Sequence, residues 1–174
     1  MTAELTIAIP RGALLGDTLA LLDRVGIDTS EVRAGDRRLL FADGALITMR
    51  PSDVPTYVAS GAADIGITGK DVLREHDEPA VIELRDLGFG GCRMVLASVD
   101  EDPDPLQEAL RRHGIVRVAT KYPKTAQAYF RATGRQAEIV EVRGSVELAP
   151  LTRMAEAIVD LTATGTTLRD NGLV

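Results

Sequence analysis

Glu156-Ala157-Ile158-Val159-Asp160-Leu161-Thr162-Ala163-Thr164-Gly165-Thr166-Thr167-Leu168 reads as a strand, then a loop, then the start of a helix. Ala157 to Val159 is apolar and β-prone, and Asp160 closes it. The loop that follows carries hydroxyls at Thr162, Thr164, Thr166 and Thr167, with Gly165 among them. Leu168 to Asn171 then reads as a helical turn. Backbone N–H groups, hydroxyl donors and a helix start in one place make a cradle for an anion. Gly165 lets the backbone approach a phosphate with no Cβ in the way, and Asp160 is placed to orient ribose hydroxyls or an ion. The same residues also suit a Thr-rich turn with an N-cap, and spacing alone does not choose between the two. No lysine follows the glycine, so this is not a Walker loop, and the glycine spacing of a dinucleotide fingerprint is missing.

Outward from this unit, strands and helices alternate. Leu5 to Ile9 is a strand, and Leu14 to Val25 has helical apolar spacing stopped by Gly26. Leu39 to Phe41 and Leu46 to Met49 flank Ala42-Asp43-Gly44, a hairpin signal. Pro51-Ser52-Asp53 opens a helix ending near Ser60-Gly61; Ala63 to Ile67 is a strand, and Gly69 to Glu75 a helix. Val81 to Leu87 and Cys92 to Ala97 read as strands around Gly88-Phe89-Gly90-Gly91. The second half continues with a helix at Asp104 to His113, a strand at Val116 to Ala119 and a helix at Lys124 to Ala132. A strand at Glu138 to Val142 and a helix at Val146 to Met154, with Pro150 as a possible break, follow. This order predicts an α/β fold with mainly parallel sheets and right-handed crossovers, in two lobes hinged near Gly90-Gly91.

Composition narrows the partners. Net charge is −6 and only 3% of residues are aromatic, with no Trp. That argues against nucleic-acid and anionic-membrane binding, and against base-stacking platforms. Cys92 is the only cysteine, which excludes an intrachain disulfide and fits a reducing cytoplasm. Residues 1–10 lack a signal-peptide pattern, and no run reaches the length of a membrane span. His76 and His113 stand apart and make no metal site with one cysteine.

Strand-end loops are where α/β sheets bind ligands. Besides the Thr-rich loop they are Pro10-Arg11-Gly12, Thr68-Gly69-Lys70-Asp71 and Thr120-Lys121-Tyr122-Pro123. Arg11, Lys70 and Lys121 each sit at such a loop, and a cation at a helix start opposes the helix dipole, as an anionic ligand would explain. Solvated loop cations are the plain alternative. Arg37, Arg38 and Arg50 flank the hairpin and read equally as surface charge. Asp53 and Asp71 read as helix-start residues, and Ser145 with Glu147 as a capping pair.

Several stretches together resemble a known family. They are Arg50-Pro51-Ser52-Asp53-Val54-Pro55-Thr56-Tyr57-Val58 and Gly61-Ala62-Ala63-Asp64-Ile65-Gly66-Ile67-Thr68-Gly69-Lys70-Asp71-Val72-Leu73. Asp86 to Gly90, Ala119 to Pro123, Gly144 to Pro150 and Ala157 to Val174 complete the set. In this order, over essentially the whole chain, they resemble the catalytic subunit of the ATP phosphoribosyltransferase family of histidine biosynthesis, in its short form. The resemblance implies a two-lobed fold of the type II periplasmic-binding-protein kind with the active site in the interlobe cleft. It implies a first lobe over residues 1–90, a second over 91–168, and a return towards the first over 169–174. It implies transfer of the phosphoribosyl group from phosphoribosyl pyrophosphate to N1 of ATP, with Mg²⁺ carried by the substrate pyrophosphate and no metal ligated by the protein.

The resemblance also assigns roles. Asp160, Thr162, Ala163, Thr164, Gly165, Thr166 and Thr167 would bind phosphoribosyl pyrophosphate. Arg11, Gly12, Arg37, Arg50, Lys70, Asp71 and Lys121 would bind ATP and pyrophosphate, Arg50 acting across a dimer interface. Arg11, Arg37 and Asp160 would be catalytic. Many members carry Lys-Gly-Arg after the first strand where this chain has Arg11-Gly12-Ala13, so Arg37 is expected to take up part of the load of the missing arginine. The family normally continues beyond the position of Val174 with elements that complete the first lobe, and the long form adds a regulatory domain. The short form implies a homodimer and a hetero-oligomer with a regulatory subunit related to histidyl-tRNA synthetase. The competing reading is a non-catalytic module of the same fold that binds a small anion or nucleotide.

Overall fold

The computed structural model describes residues 5–35, 37–76 and 79–174. Residues 1–4, part of the stretch read above for a leader, lie outside the described residues. The chain divides into two compact units, Met1–Gly90 and Gly91–Val174.

The first unit is built on a sheet of order β2-β3-β1-β4, where β1 is Ile7–Pro10, β2 Leu40–Phe41, β3 Leu46–Met49 and β4 Ile65–Gly66. β1 is parallel to β3 and β4, while β2 runs antiparallel to β3. Alternation along β1 sends Ile7 and Ile9 to one face and Ala8 to the other. Helix α1 (Leu15–Arg24) covers the first face, where Ile7, Ile9, Leu19, Leu22, Phe41 and Leu46 form a core. Helix α3 (Val54–Ala59) covers the second, over Ala8, Ile47, Val54 and Ala63. A strand buried on both faces is what a parallel arrangement demands. Two short helices, α2 (Ser30–Arg33) and α4 (Lys70–His76), complete the unit; α2 was not foreseen.

Gly66 shows how tightly α3 lies on the sheet. A Cβ there would collide with Cγ1 of Val54 and Cγ2 of Val58, both on α3. The expected hairpin forms between β2 and β3, with Ala42 and Asp43 at positive φ in a tight turn.

The second unit has sheet order β5-β8-β6-β7, with β5 Arg93–Ser98, β6 Ile115–Thr120, β7 Gln136–Glu141 and β8 Ala157–Thr162. β6 pairs in parallel with β7 and β8; β5 is antiparallel to β8. Helices α5 (Pro105–His113) and α6 (Pro123–Ala132) pack Leu106, Ala109, Ala126 and Phe130 against Val116, Val118, Ala157 and Val159. The other face holds Ala97, Ala119, Ile158, Val146 and Leu173, with Ala149 from α7 (Leu148–Leu151). Helix α5 is defined by its ends. Asp104 Oδ1 accepts from the Leu106 amide at 3.0 Å, Pro105 fills the first turn, and Gly114 closes it in the left-handed conformation at φ 71°. The last helix, α8 (Thr166–Asp170), follows the Thr-rich loop.

Two expectations need correcting. Val81 to Leu87 joins neither sheet, and Ile82 and Leu84 are 76% and 73% exposed. Its β-prone residues have no neighbouring strand here, and propensity without a partner does not make a strand. The helix expected over Val146 to Met154 shrinks to α7, because Pro150 lies in it and Arg153 takes φ 59° beyond it. At the end of the second unit, Val174 and Ser98 exchange backbone hydrogen bonds at 2.9 Å, and Leu173 is buried in that unit's core.

Two predictions follow from this packing. Gly66→Ala should lower stability by about 1–3 kcal/mol through overpacking, read from urea unfolding; unchanged stability would mean that α3 sits more loosely than described. The second concerns Glu156, which binds both the amide and the guanidinium of Arg117. Burial pushes its carboxyl up, but the hydrogen bonds from Arg117 outweigh this and hold it below the usual glutamate value. A lowered native value means the pair's stabilisation is present above the unfolded value and lost as pH falls through the native one. Thermal melts from about pH 7 to about pH 3 should therefore show a steeper acid loss for the native chain than for Glu156→Gln.

Candidate active site

The parallel strands of the second unit deliver their carboxyl ends to one edge of the sheet. β6 ends at Thr120, whose Oγ1 donates to the carbonyl of Val159 at 2.6 Å and accepts from the Tyr122 amide at 2.9 Å. This buried hydroxyl fastens the β6 exit to β8. It thereby sets Lys121 beside Asp160, with Nζ 3.2 Å from Oδ1. Asp160 is 8% exposed, and the same oxygen accepts from the Leu161 amide at 2.8 Å. Lys121 also lies 5.4 Å from the Tyr122 ring centroid.

After β8 the chain turns sharply. The Gly165 amide donates to Thr162 Oγ1 at 2.7 Å, and Gly165 has φ 75°. Thr164 and Thr166 share a hydroxyl contact of 2.9 Å, and the Thr166 amide reaches Thr164 Oγ1 at 3.3 Å. Among the described residues, the amides of Ala163, Thr164, Thr167 and Leu168 have no hydrogen-bond acceptor. Ala163, Thr164, Thr166 and Thr167 are exposed. The loop thus carries open donors before and after a fixed glycine, a donor set that suits a phosphate.

Two cations here escaped the sequence reading. Arg93 on β5 pairs opposite Thr162. Arg169 on α8 folds back onto Thr164 and Thr166. The three-residue spacing from Thr166 to Arg169 was the available signal for the second; only strand pairing could reveal the first.

In the first unit Arg11 leaves β1, its amide donating to the Met49 carbonyl at 2.8 Å. Its guanidinium donates from Nε to Thr48 Oγ1 at 3.0 Å and from Nη2 to the Arg38 carbonyl at 2.7 Å. Arg11 therefore joins β1, β3 and the residues before β2. Gly12, at φ 83°, opens a 3-10 turn. Arg50 follows β3 and is exposed. Thr68 Oγ1 donates to the Pro51 carbonyl at 2.7 Å, drawing the Thr68-to-Asp71 loop against the turn after Arg50. Lys70 pairs with Glu83 at 3.0 Å, and the Asp71 carboxylate folds over Gly69 where a Cβ would stand. The side chains of Arg37 and Arg50 have no partner among the described residues.

The structure therefore joins Lys121 and Asp160 with Thr162 to Thr167 in one unit, and Arg11 with the Arg38 backbone and Thr48 in the other. It ties Arg11, Lys70 and Lys121, read as ligand-seeking cations, to partners of their own. Thr120 is a buried brace. Asp104 caps α5, whereas Asp53 and Glu147 stand at helix starts without a side-chain capping bond. Among the described residues no group of three or more His, Cys, Asp or Glu side chains converges as a metal site, and no helix is long and apolar enough to cross a membrane.

Residues 50–174 match the family model described as HisG: ATP phosphoribosyltransferase. The ATP phosphoribosyltransferase of Rubrobacter xylanophilus is 54% identical over 171 residues, covering 97% of this chain and 79% of that protein. That of Desulfitobacterium hafniense is 47% identical over 178 residues, covering 98% and 79%. Among solved structures, the ATP phosphoribosyl transferase (HisG:HisZ) complex from Thermotoga maritima matches at TM-score 0.76 and 34% identity, over 98% of this chain and 80% of that one. The GluR0 ligand-binding core in complex with L-glutamate matches at TM-score 0.51 and 14% identity over 99% of this chain and 78% of that one, a likeness of fold alone. With the family model matched over most of its length and relatives near half identical along it, the chain belongs to the ATP phosphoribosyltransferase family.

Proposed function

We propose that the loop from Asp160 to Thr167 holds the phosphorylated ribose of phosphoribosyl pyrophosphate. The chain transfers this phosphoribosyl group to N1 of ATP and releases pyrophosphate, the first step of histidine biosynthesis. The observation that supports the loop assignment best is its set of acceptor-less amides at Ala163, Thr164, Thr167 and Leu168. They face no competing acceptor, so a phosphate oxygen gains their hydrogen bonds without breaking others.

The chemistry asks for positioning. Adenine N1 carries a lone pair, forms the new bond to ribose C1, and the bond from C1 to pyrophosphate oxygen breaks. Charge grows on the pyrophosphate and, with opposite sign, on the ribose. Asp160 supplies a carboxylate beside the ribose. Arg11, Arg37, Arg50, Lys70 and Lys121, with Gly12 and Asp71, serve ATP and the departing pyrophosphate. Arg11 and Arg37 are the cations assigned to the leaving group. Mg²⁺ is read as part of the pyrophosphate substrate, where it would offset the charge that grows on the leaving group.

The same reading covers assembly. The likeness to the Thermotoga maritima HisG:HisZ complex supports a hetero-oligomer with a second kind of subunit; that this subunit is a regulatory one related to histidyl-tRNA synthetase, and that the chain also forms a homodimer in which Arg50 reaches a neighbouring site, are further parts of the proposal. We place the reaction in the cytoplasm, in keeping with a single cysteine.

The direct test is ultraviolet detection of phosphoribosyl-ATP with the purified chain, ATP, phosphoribosyl pyrophosphate and Mg²⁺, with pyrophosphatase to draw the reaction forward. Product that depends on every component is the expected result, with or without the regulatory subunit. Binding without turnover in both conditions would favour the non-catalytic module. Asp160→Asn should lower kcat/KM by about 10²-fold and Thr166→Ala by about 3–10-fold. Both should keep the circular dichroism of the native chain; rates unchanged by either would remove the loop from the site.

A further inference from the structure

We propose that Arg169 is a positioning residue of the phosphate cradle, acting through Thr164 and Thr166. The inference rests on the reading of this loop as the phosphoribosyl site. Arg169 stands in the last turn of α8, where a cation suits the helix dipole. Its side chain nevertheless runs back to the start of the helix. Nη1 donates to the Thr164 carbonyl at 3.1 Å and Nη2 to Thr166 Oγ1 at 3.3 Å. Its own amide donates to the Gly165 carbonyl at 3.1 Å. One residue thus binds acceptors on three consecutive loop residues.

Gly165 is shaped to admit this. A Cβ there would stand 2.9 Å from Arg169 Nη1. The missing side chain therefore makes room for the guanidinium, as well as permitting φ 75°. Arg169 makes no ion pair among the described residues, so its charge is uncompensated beside the open amides.

The bonding also governs which hydroxyl remains available. Thr166 Oγ1 accepts from Arg169, and Thr164 Oγ1 accepts from the Thr166 amide. The contact between the two hydroxyls uses one of their two hydrogens. The other is left to donate to a ligand. Without the guanidinium, the Thr164 carbonyl and Thr166 hydroxyl lose the donor that fixes their orientation, and the turn loses the arrangement that aims its donors. A lysine presents a single ammonium and cannot reproduce the planar two-point hold.

The test is calorimetric binding of phosphoribosyl pyrophosphate to the native chain and to R169A, R169K, T166V and T166V/R169A, alongside steady-state KM for each substrate. R169A should weaken binding about tenfold or more, with R169K recovering only part of the loss. KM for ATP and the melting temperature should stay within about twofold and a few degrees of native, respectively, which separates positioning from general loss of fold. The double variant should lose clearly less than the sum of the two single losses, because part of the Arg169 effect passes through Thr166. Native binding with an unchanged R169A would overturn the inference. Additive losses would overturn it too, since they would make Arg169 a direct ligand contact. A native chain that does not bind phosphoribosyl pyrophosphate would instead overturn the reading of the loop, before any substitution is considered.

Discussion

Strand β8 is the constraint on which the second unit depends. It pairs with β5 on one side and β6 on the other, and Ala157, Ile158 and Val159 are at most 3% exposed. Its alternating residues feed both cores, Ala157 and Val159 to the face covered by α5 and α6, Ile158 to the other. A one-residue slip would put Ile158 where Ala157 fits and would turn the following Asp160 to the opposite face. The same packing that stabilises the sheet therefore fixes the direction of the carboxylate and the starting point of the Thr-rich loop. The Thr120 hydroxyl adds to this by tying the neighbouring strand's exit to Val159.

The elements read most reliably from sequence carry their own local signals. Helix α5 has Asp104, Pro105 and Gly114 in their places, and the β2–β3 hairpin has its turn residues. Failures occur where a long-range partner decides. Val81 to Leu87 has strand composition but no strand beside it, and Arg93 enters the cradle region only because β5 runs antiparallel to β8. α2 was missed because Ser30–Arg33 is one turn, too short for periodicity to register. The candidate loop was legible because its small residues and hydroxyls are contiguous. Arg169 was not, because its contribution depends on a side chain folding back against the direction of the chain.

The cations raise a question of energetics. Spacing suggested that Arg11, Lys70 and Lys121 await an anion, yet each has a protein partner. For Lys70 and Glu83 the side chains are 55% and 40% exposed, and such pairs contribute about 0–1 kcal/mol. On the proposed reading, an incoming phosphate would displace that partner at little cost. Lys121 differs, because Asp160 is nearly buried. If the loop holds a phosphate as proposed, an unpaired carboxylate beside it would repel that ligand, and Lys121 offsets the charge at 3.2 Å. Arg11 differs again: two hydrogen bonds to β3 and the Arg38 backbone make it a structural tie that still has donors to offer.

The loop itself resolves a conflict between folding and binding. Unpaired amides are costly when buried and nearly free when water can reach them. In this loop burial follows bonding. Gly165 is the buried residue of the turn, and its amide is satisfied by Thr162. Of the four residues whose amides lack acceptors, Ala163, Thr164 and Thr167 are exposed and Leu168 is half-buried. The open donors therefore add little cost to the folded state, while the glycine and the two guanidinium contacts to its neighbours keep them from collapsing onto one another. On the proposed reading, a phosphate would replace solvent at donors that are already arranged, without the loop first having to unmake any hydrogen bond of its own.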